Sequence, residues 1–320
     1  MLQQAVERVL LLIPNERILI ATGALYAELV AEQLPDLPRE NILIEPCGRG
    51  TAPCIGLAAL VLLRRDPDAV MVVLSADHQI EHADQLRAAL TLGAELAQQG
   101  HLITLGVEPS MPSTEYCYIR CGQPITNTGD LMAYSVDAFI EKPTIERAQQ
   151  YFASGEYLWN AGIFVWRADR IMQELSRYRP ALAELLRTID RAGDQQEAQH
   201  MIDSLWPQAE HSAIDLAILE QMEAAVVISI PLGLNDVGDW AALADTLPID
   251  EFGNAMVGKH MALNTYDSLI YGHSRTIIAI GVAELLIIDT EDALLVCPRS
   301  SAQEVKAAVM QLREHQQKPT

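Results

Sequence analysis

Basic side chains are scarce in this chain: 22 lysines and arginines stand against 43 aspartates and glutamates, a formal net charge of -21. A surface with that balance repels a phosphate backbone and an anionic membrane, so neither nucleic acid nor lipid headgroups are expected partners. Long apolar runs are lacking too, and none approaches the roughly 20 residues that span a bilayer. The run Val9-Leu-Leu-Leu-Ile13 follows Glu7 and Arg8 without a basic n-region or cleavage site, and reads as the end of an amphipathic helix. Cysteine is sparse: five residues, an odd number without framework spacing, argue against a secreted disulfide scaffold and for reduced thiols in a cytoplasm. Cys117 and Cys121 have no second pair beside them to complete a four-ligand zinc site.

What is present is a chain of 320 residues, half of them hydrophobic, enough for one large domain and a smaller appendage. In the first hundred residues, strand-like runs at Arg17–Thr22, Asn41–Glu45, Ala69–Leu74 and Leu102–Val107 alternate with helical patterns at 24–34, 51–65 and 84–98. Strands buried on both faces read as continuous apolar runs, and Val70-Met-Val-Val-Leu74 is one. The alternation predicts an α/β fold with a doubly wound, mostly parallel, Rossmann-like sheet. Further strands are expected near 115–120, 131–140 and 158–166, then helices to about 205. From about 255 to 298 the pattern is short strands separated by turns such as Gly272-His-Ser274, which predicts a small β-rich, solenoid-like domain with a closing helix near 302–313. The expected domains are 1–248 and 249–320.

Two acidic clusters carry the chemistry: Leu74-Ser75-Ala-Asp77-His78 and Asn235-Asp236-Val-Gly-Asp-Trp240. Each ends a strand-like segment with a carboxylate, and ligands of open α/β sheets collect at the carboxyl ends of strands. Magnesium in phosphate chemistry takes one or two protein carboxylates and completes its octahedron with water and phosphate oxygens. Taken singly, an aspartate after a strand is most often a turn or cap residue bonding nearby amides. Lysine is nearly absent, with four in all, and Lys142 alone lies outside the C-terminal quarter; its compact charge suits a phosphate.

Further clusters fall between these two: Glu45-Pro-Cys-Gly-Arg49-Gly-Thr51, Glu141-Lys142-Pro143, Leu158-Trp-Asn160-Ala-Gly162-Ile-Phe164 and Ala213-Ile-Asp215. In order and spacing the set resembles the bacterial mannose-1-phosphate guanylyltransferases, nucleotidyltransferases of GDP-mannose biosynthesis, from about Leu2 to the closing helix. The resemblance implies attack by the phosphate oxygen of mannose 1-phosphate on the α-phosphorus of GTP, with release of pyrophosphate. It implies that Asp77 and Asp236 hold Mg2+, with Lys142 near the sugar phosphate. Glu141, Asn160, Gly162 and Asp215 would form the sugar pocket, and Glu45, Arg49, Thr51 and the backbone around Ser75 the nucleotide side. Trp159 and Phe164 are expected in the core beside it. Glu45-Pro46 equally ends a strand, and Arg49 equally pairs with a surface carboxylate.

The sequence also departs from that family. The family's opening strand and glycine-rich Gly-Gly-x-Gly-Thr-Arg-Leu-x-Pro loop have no counterpart here, which leads to the expectation of a poorly active, less stable chain. A usual Gly-Tyr-Gly-Tyr reads Glu115-Tyr-Cys117-Tyr118, a usual Arg-Asn-Thr reads Arg49-Gly-Thr51, and Leu216, Gln221 and Leu234 replace usual aromatic or basic residues. The alternatives are a non-catalytic pseudoenzyme that regulates a complete guanylyltransferase, and a transferase for another sugar phosphate or nucleotide. Open strand edges in the β-rich segment suggest a homodimer.

Overall fold

A computed structural model describes residues 1–317 apart from Asp194, Glu223 and Ala224; the side chains of Gln195, 234–236 and 313–317 lie outside the described set. The chain divides into two compact units, Met1–Leu234 and Asn235–Thr320. The first opens with α1 (Leu2–Glu7), β1 (Ile20–Gly23), α2 (Ala27–Gln33), β2 (Ile42–Glu45), α3 (Thr51–Arg65) and β3 (Val70–Val73). It continues with β4 (His78–Ile80), α4 (Ala83–Gln98), β5 (Leu102–Val107), β6 (Tyr118–Thr128), β7 (Leu131–Ile140) and α5 (Ile145–Ser154). Then come β8 (Tyr157–Arg167), α6 (Ala168–Tyr178), α7 (Pro180–Asp190), α8 (Gln195–Leu205), α9 (Ile214–Ala217) and β9 (Ala225–Ser229), with β10 (Leu234–Asp236) at the division.

The α/β fold expected from the alternating pattern is present. Six strands form one sheet in the order β3-β8-β5-β9-β7-β6, and β1 and β2 form a separate parallel pair. Strands β3, β5 and β9 share one direction; β8 runs antiparallel between β3 and β5, and β6 and β7 form an antiparallel arm. Alternate residues along a strand face opposite sides, and β8 uses both. Phe164 and Trp166, stacked at 5.2 Å, pack with Ile55 and Leu57 of α3, Ile171 of α6 and Leu186 of α7. Ile163 and Val165 pack with Leu86, Ala89 and Leu90 of α4 on the other side. Two apolar cores thus flank one sheet, and the double winding follows from the need of both faces for helical cover.

The second unit holds α10 (Trp240–Thr246), β11 (Ala255–Val257), β12 (His260–Leu263), β13 (Leu269–Gly272), β14 (Ile277–Ile280), β15 (Leu285–Asp289), β16 (Leu294–Pro298) and α11 (Val305–Gln317). Strands β11, β13 and β15 stack in parallel, β16 closes that wall antiparallel, and β12 and β14 form a second parallel wall. Ala255, Leu269 and Leu286 lie in register and fully buried, a stack of apolar side chains along the inside of the wall. The division falls earlier than 248 because α10 contributes Trp240, Ala241 and Ala244 to this same core.

Candidate active site

The site grows from an irregularity in β8. Thr104 of β5 sits opposite Phe164, yet Gly106, two residues on, sits opposite Asn160, so β8 carries a bulge at its Ala161-Gly162-Ile163 segment. Bulges re-aim side chains near functional sites. Gly162 takes φ +63°, where any side chain is strained, and a Cβ there would also press at 3.3 Å on the His78 ring. The bulge turns Asn160 inward. Its Oδ1 accepts from the Thr104 hydroxyl at 2.7 Å and from Gly162 N–H at 3.2 Å, and its Nδ2 donates to Asp215 Oδ1 at 2.8 Å.

Asp215 stands in the first turn of α9, and the Arg49-Gly-Thr51 cluster holds that turn in place. Ile214 N–H donates to Thr51 Oγ1 at 2.8 Å, Ser212 N–H to the Arg49 carbonyl at 3.0 Å, and Ala52 N–H to the Ser212 carbonyl at 3.1 Å. Gly50 makes the interlock with φ +84°, where a Cβ would overlap the Ser212 carbonyl. The Arg49 guanidinium donates to the Pro207 carbonyl. Glu45 is buried at the end of β2, where desolvation raises its pKa and hydrogen bonds from Cys54 and Trp206 partly offset the rise. Of the residues expected on the nucleotide side, Arg49 and Thr51 therefore support the Asp215 segment, while Glu45 lies buried beside Cys54 and Trp206.

Glu141, Glu220 and Cys117 also lie near Asp215. Burial is the main reason its pKa climbs to about 6; its own backbone amide and Asn160 oppose the rise, while the charges of Glu141 and Glu220 add to it. Burial likewise pushes the Cys117 thiol up to about 12, reinforced by the charges of Asp215 and Glu141. The Lys142 backbone N–H faces the Cys117 sulfur, and Lys142 itself takes a left-handed φ of +38°, leaving its side chain exposed. Cys117 is held from both neighbours. Tyr116 stacks on Trp159 at 4.4 Å, and the fully buried Tyr118 accepts the Ser113 N–H on its hydroxyl. Glu141, Lys142, Asn160, Gly162 and Asp215 thus lie in one neighbourhood, and Trp159 and Phe164 are buried beside it.

Asp77 occupies the exposed turn between β3 and β4, two residues after the half-buried Ser75. Among the described residues no hydrogen bond or ion pair engages its carboxylate. Arg8 braces the turn, donating to the His78 carbonyl at 2.6 Å, and Arg87 in turn donates to the Arg8 carbonyl. The Asp236 side chain lies outside the described residues. Among those described, no three histidine, cysteine or acidic residues are grouped as a metal cage. Sequence reasoning did not single out Thr104, and it named Cys117 and Arg8 without giving either a place in the site. Thr104 left only a faint signal, one hydroxyl inside the apolar run Leu102–Val107 that needs a buried partner.

The family described as nucleotidyl transferase matches residues 1–251, and a mannose-P isomerase/GMP-like beta-helix domain matches residues 258–312. A mannose-1-phosphate guanylyltransferase of Klebsiella pneumoniae is 37% identical over 319 residues, covering 99% of this chain and 67% of that protein. One from Escherichia coli strain K12 is 38% identical over 290 residues, covering 89% of this chain and 61% of its own length. The chain therefore spans about two thirds of the length of these curated relatives. A solved structure from Thermus thermophilus, described as a mannose-1-phosphate geranyltransferase, superposes with a TM-score of 0.80 at 29% identity, covering 98% of this chain and 89% of its own.

Proposed function

The chain belongs to the nucleotidyl transferase family, as a relative of the mannose-1-phosphate guanylyltransferases, and on that premise we propose that it joins mannose 1-phosphate to GTP. A phosphate oxygen of mannose 1-phosphate attacks the α-phosphorus of GTP, the bond from that phosphorus to the bridging α–β oxygen breaks, and pyrophosphate leaves as GDP-mannose forms. The observation that carries the reading is the Asn160–Asp215 pair beside Glu141. A largely buried carboxylate with no cation against it is costly. Neutral hydroxyl donors relieve that cost, and a sugar ring offers several. Lys142, exposed at the rim of the same cluster, supplies a point charge for the sugar phosphate.

Magnesium, when bound, neutralises charge on the transferring phosphate. Asp77 fits such a hard cation as an exposed carboxylate beyond the carboxyl end of β3, free of protein partners among the described residues. The remaining ligands would come from water and from GTP, with the backbone around Ser75 beside the nucleotide. Calorimetric titration with mannose 1-phosphate, glucose 1-phosphate and magnesium GTP tests the assignment, together with a pyrophosphate-release assay. Preferential binding of mannose 1-phosphate, abolished by Asp215→Ala, is expected. A chain that binds none of these sugar phosphates would falsify the reading.

A further inference from the structure

We propose that Thr104 is a positioning residue for sugar recognition: its hydroxyl fixes the Asn160 amide so that Asn160 offers the sugar a hydrogen-bond donor. The inference rests on the sugar-pocket reading given above. It starts from a residue that is out of place by composition. Thr104 is 1% exposed in a strand whose neighbours Leu102, Ile103 and Leu105 are fully apolar and buried. A hydroxyl in such a strand is costly without a bond. Its closest acceptor is Asn160 Oδ1 at 2.7 Å, whereas the Leu105 and Ile163 carbonyls stand at 3.5 Å, the outer limit of a bond.

The consequence follows from the donor and acceptor inventory of an amide. A carboxamide oxygen accepts two hydrogen bonds, and both places on Asn160 Oδ1 are taken, by Thr104 and by Gly162 N–H. Its nitrogen carries two hydrogens. Asp215 Oδ1 takes one at 2.8 Å, and no second partner engages the amide among the described residues. Turned over, the amide would set its NH2 against the Gly162 N–H and its oxygen against the Asp215 carboxylate, two repulsive contacts. Thr104 and Gly162 thus leave a single orientation, with one N–H over for a ligand oxygen and with Asp215 kept as the acceptor beside it. The bulge in β8 is what brings Asn160 within reach of Thr104, since β5 meets Asn160 only two residues beyond the Thr104–Phe164 pair. Thr104 therefore acts on the sugar through Asn160 and not by contact.

The test compares the full chain with Thr104→Val, which removes the hydroxyl at nearly constant shape, Thr104→Ser, which keeps it, and Thr104→Cys, a weaker donor of similar size. Two readouts are taken on each. Calorimetry with mannose 1-phosphate should show Thr104→Val weakened about tenfold, Thr104→Ser within about twofold of wild type, Thr104→Cys between them, and the Kd for magnesium GTP unchanged in all three. The carboxyl carbon of Asp215, followed by NMR against pH, should titrate higher in Thr104→Val and in place in Thr104→Ser, because the Asn160 donor is lost only in the first. That readout needs no ligand. Wild type failing to bind mannose 1-phosphate would count against the sugar-pocket reading, whereas an Asp215 midpoint unmoved by Thr104→Val overturns the positioning role. Thr104→Ser as weak as Thr104→Val, or equal weakening of GTP and sugar phosphate, overturns it as well.

Discussion

Replacing Asp215 with asparagine should make the first unit more stable and the site worse, and the size of the gain can be worked out. Burial above all pushes the Asp215 pKa up to about 6 from an ordinary value of 3.8. At 1.36 kcal/mol per unit the folded state gives up about 3 kcal/mol by carrying Asp215 ionised. The sign is that of a raised acid. The unfolded chain releases this proton near 3.8 and the folded chain only near 6, so between those values the folded state binds more protons and stability falls as pH rises. The penalty is complete above about pH 6. Asp215→Asn keeps the shape and keeps an acceptor for Asn160 Nδ2 while removing the charge. Urea unfolding of both proteins should therefore show a gap of about 3 kcal/mol in favour of the variant at pH 7.5, closing toward zero near pH 4. In thermal melts the same gap is about 6–12 °C for a domain of this size. Mannose 1-phosphate affinity should fall in the variant at the pH where stability rises. A stability gap that is flat from pH 4 to 7.5, or a variant less stable than wild type at pH 7.5, would refute the view that burial of this carboxylate is what raises its pKa.

Two further substitutions probe the supports of the site. Thr51→Val leaves Ile214 N–H without its acceptor and should cost about 1–2 kcal/mol, with faster amide exchange at Ile214, while Thr51→Ser restores both. Exchange at Ile214 unchanged in Thr51→Val would remove the interlock between the two loops. Lys142 holds a left-handed φ of +38°, a conformation that costs a non-glycine residue about 1 kcal/mol. Lys142→Gly should melt higher than Lys142→Ala, with both losing affinity for the sugar phosphate; a lower melt for the glycine variant would contradict the strain.

Where structure depends on local pattern, the sequence is a sufficient guide. The helix over 51–65 and the strands at 102–107, 131–140 and 285–289 follow from runs of apolar residues bounded by turn residues, and they stand at those positions. The antiparallel entry of β8 between β3 and β5 is different in kind. Nothing in the run Tyr157–Arg167 states a direction, because direction is set by which edge the chain reaches after α5. The same contrast holds in the site. Asn160, Asp215, Glu141 and Lys142 are legible as polar residues in a recurrent order, and they converge. Arg49 and Thr51 are legible only as polar; that one donates to the Pro207 carbonyl and the other accepts from Ile214 N–H depends on a loop more than 150 residues away. Thr104 hides for the opposite reason, since one hydroxyl in an apolar strand barely alters the hydrophobic pattern by which strands are recognised.

The bulge at Gly162 also limits how this stretch of chain can change over generations. Between Asn160 and Phe164 the strand can exchange side chains but cannot change its length. Loss of a single codon there would shift the phase of everything that follows by one residue. Phe164 and Trp166 would then turn toward α4, and Ile163 and Val165 toward α3, reversing the two halves of the core at once. The reading frame of the fold, as distinct from that of the gene, is kept at this one loop, so indels should be purged from it even where substitutions are tolerated.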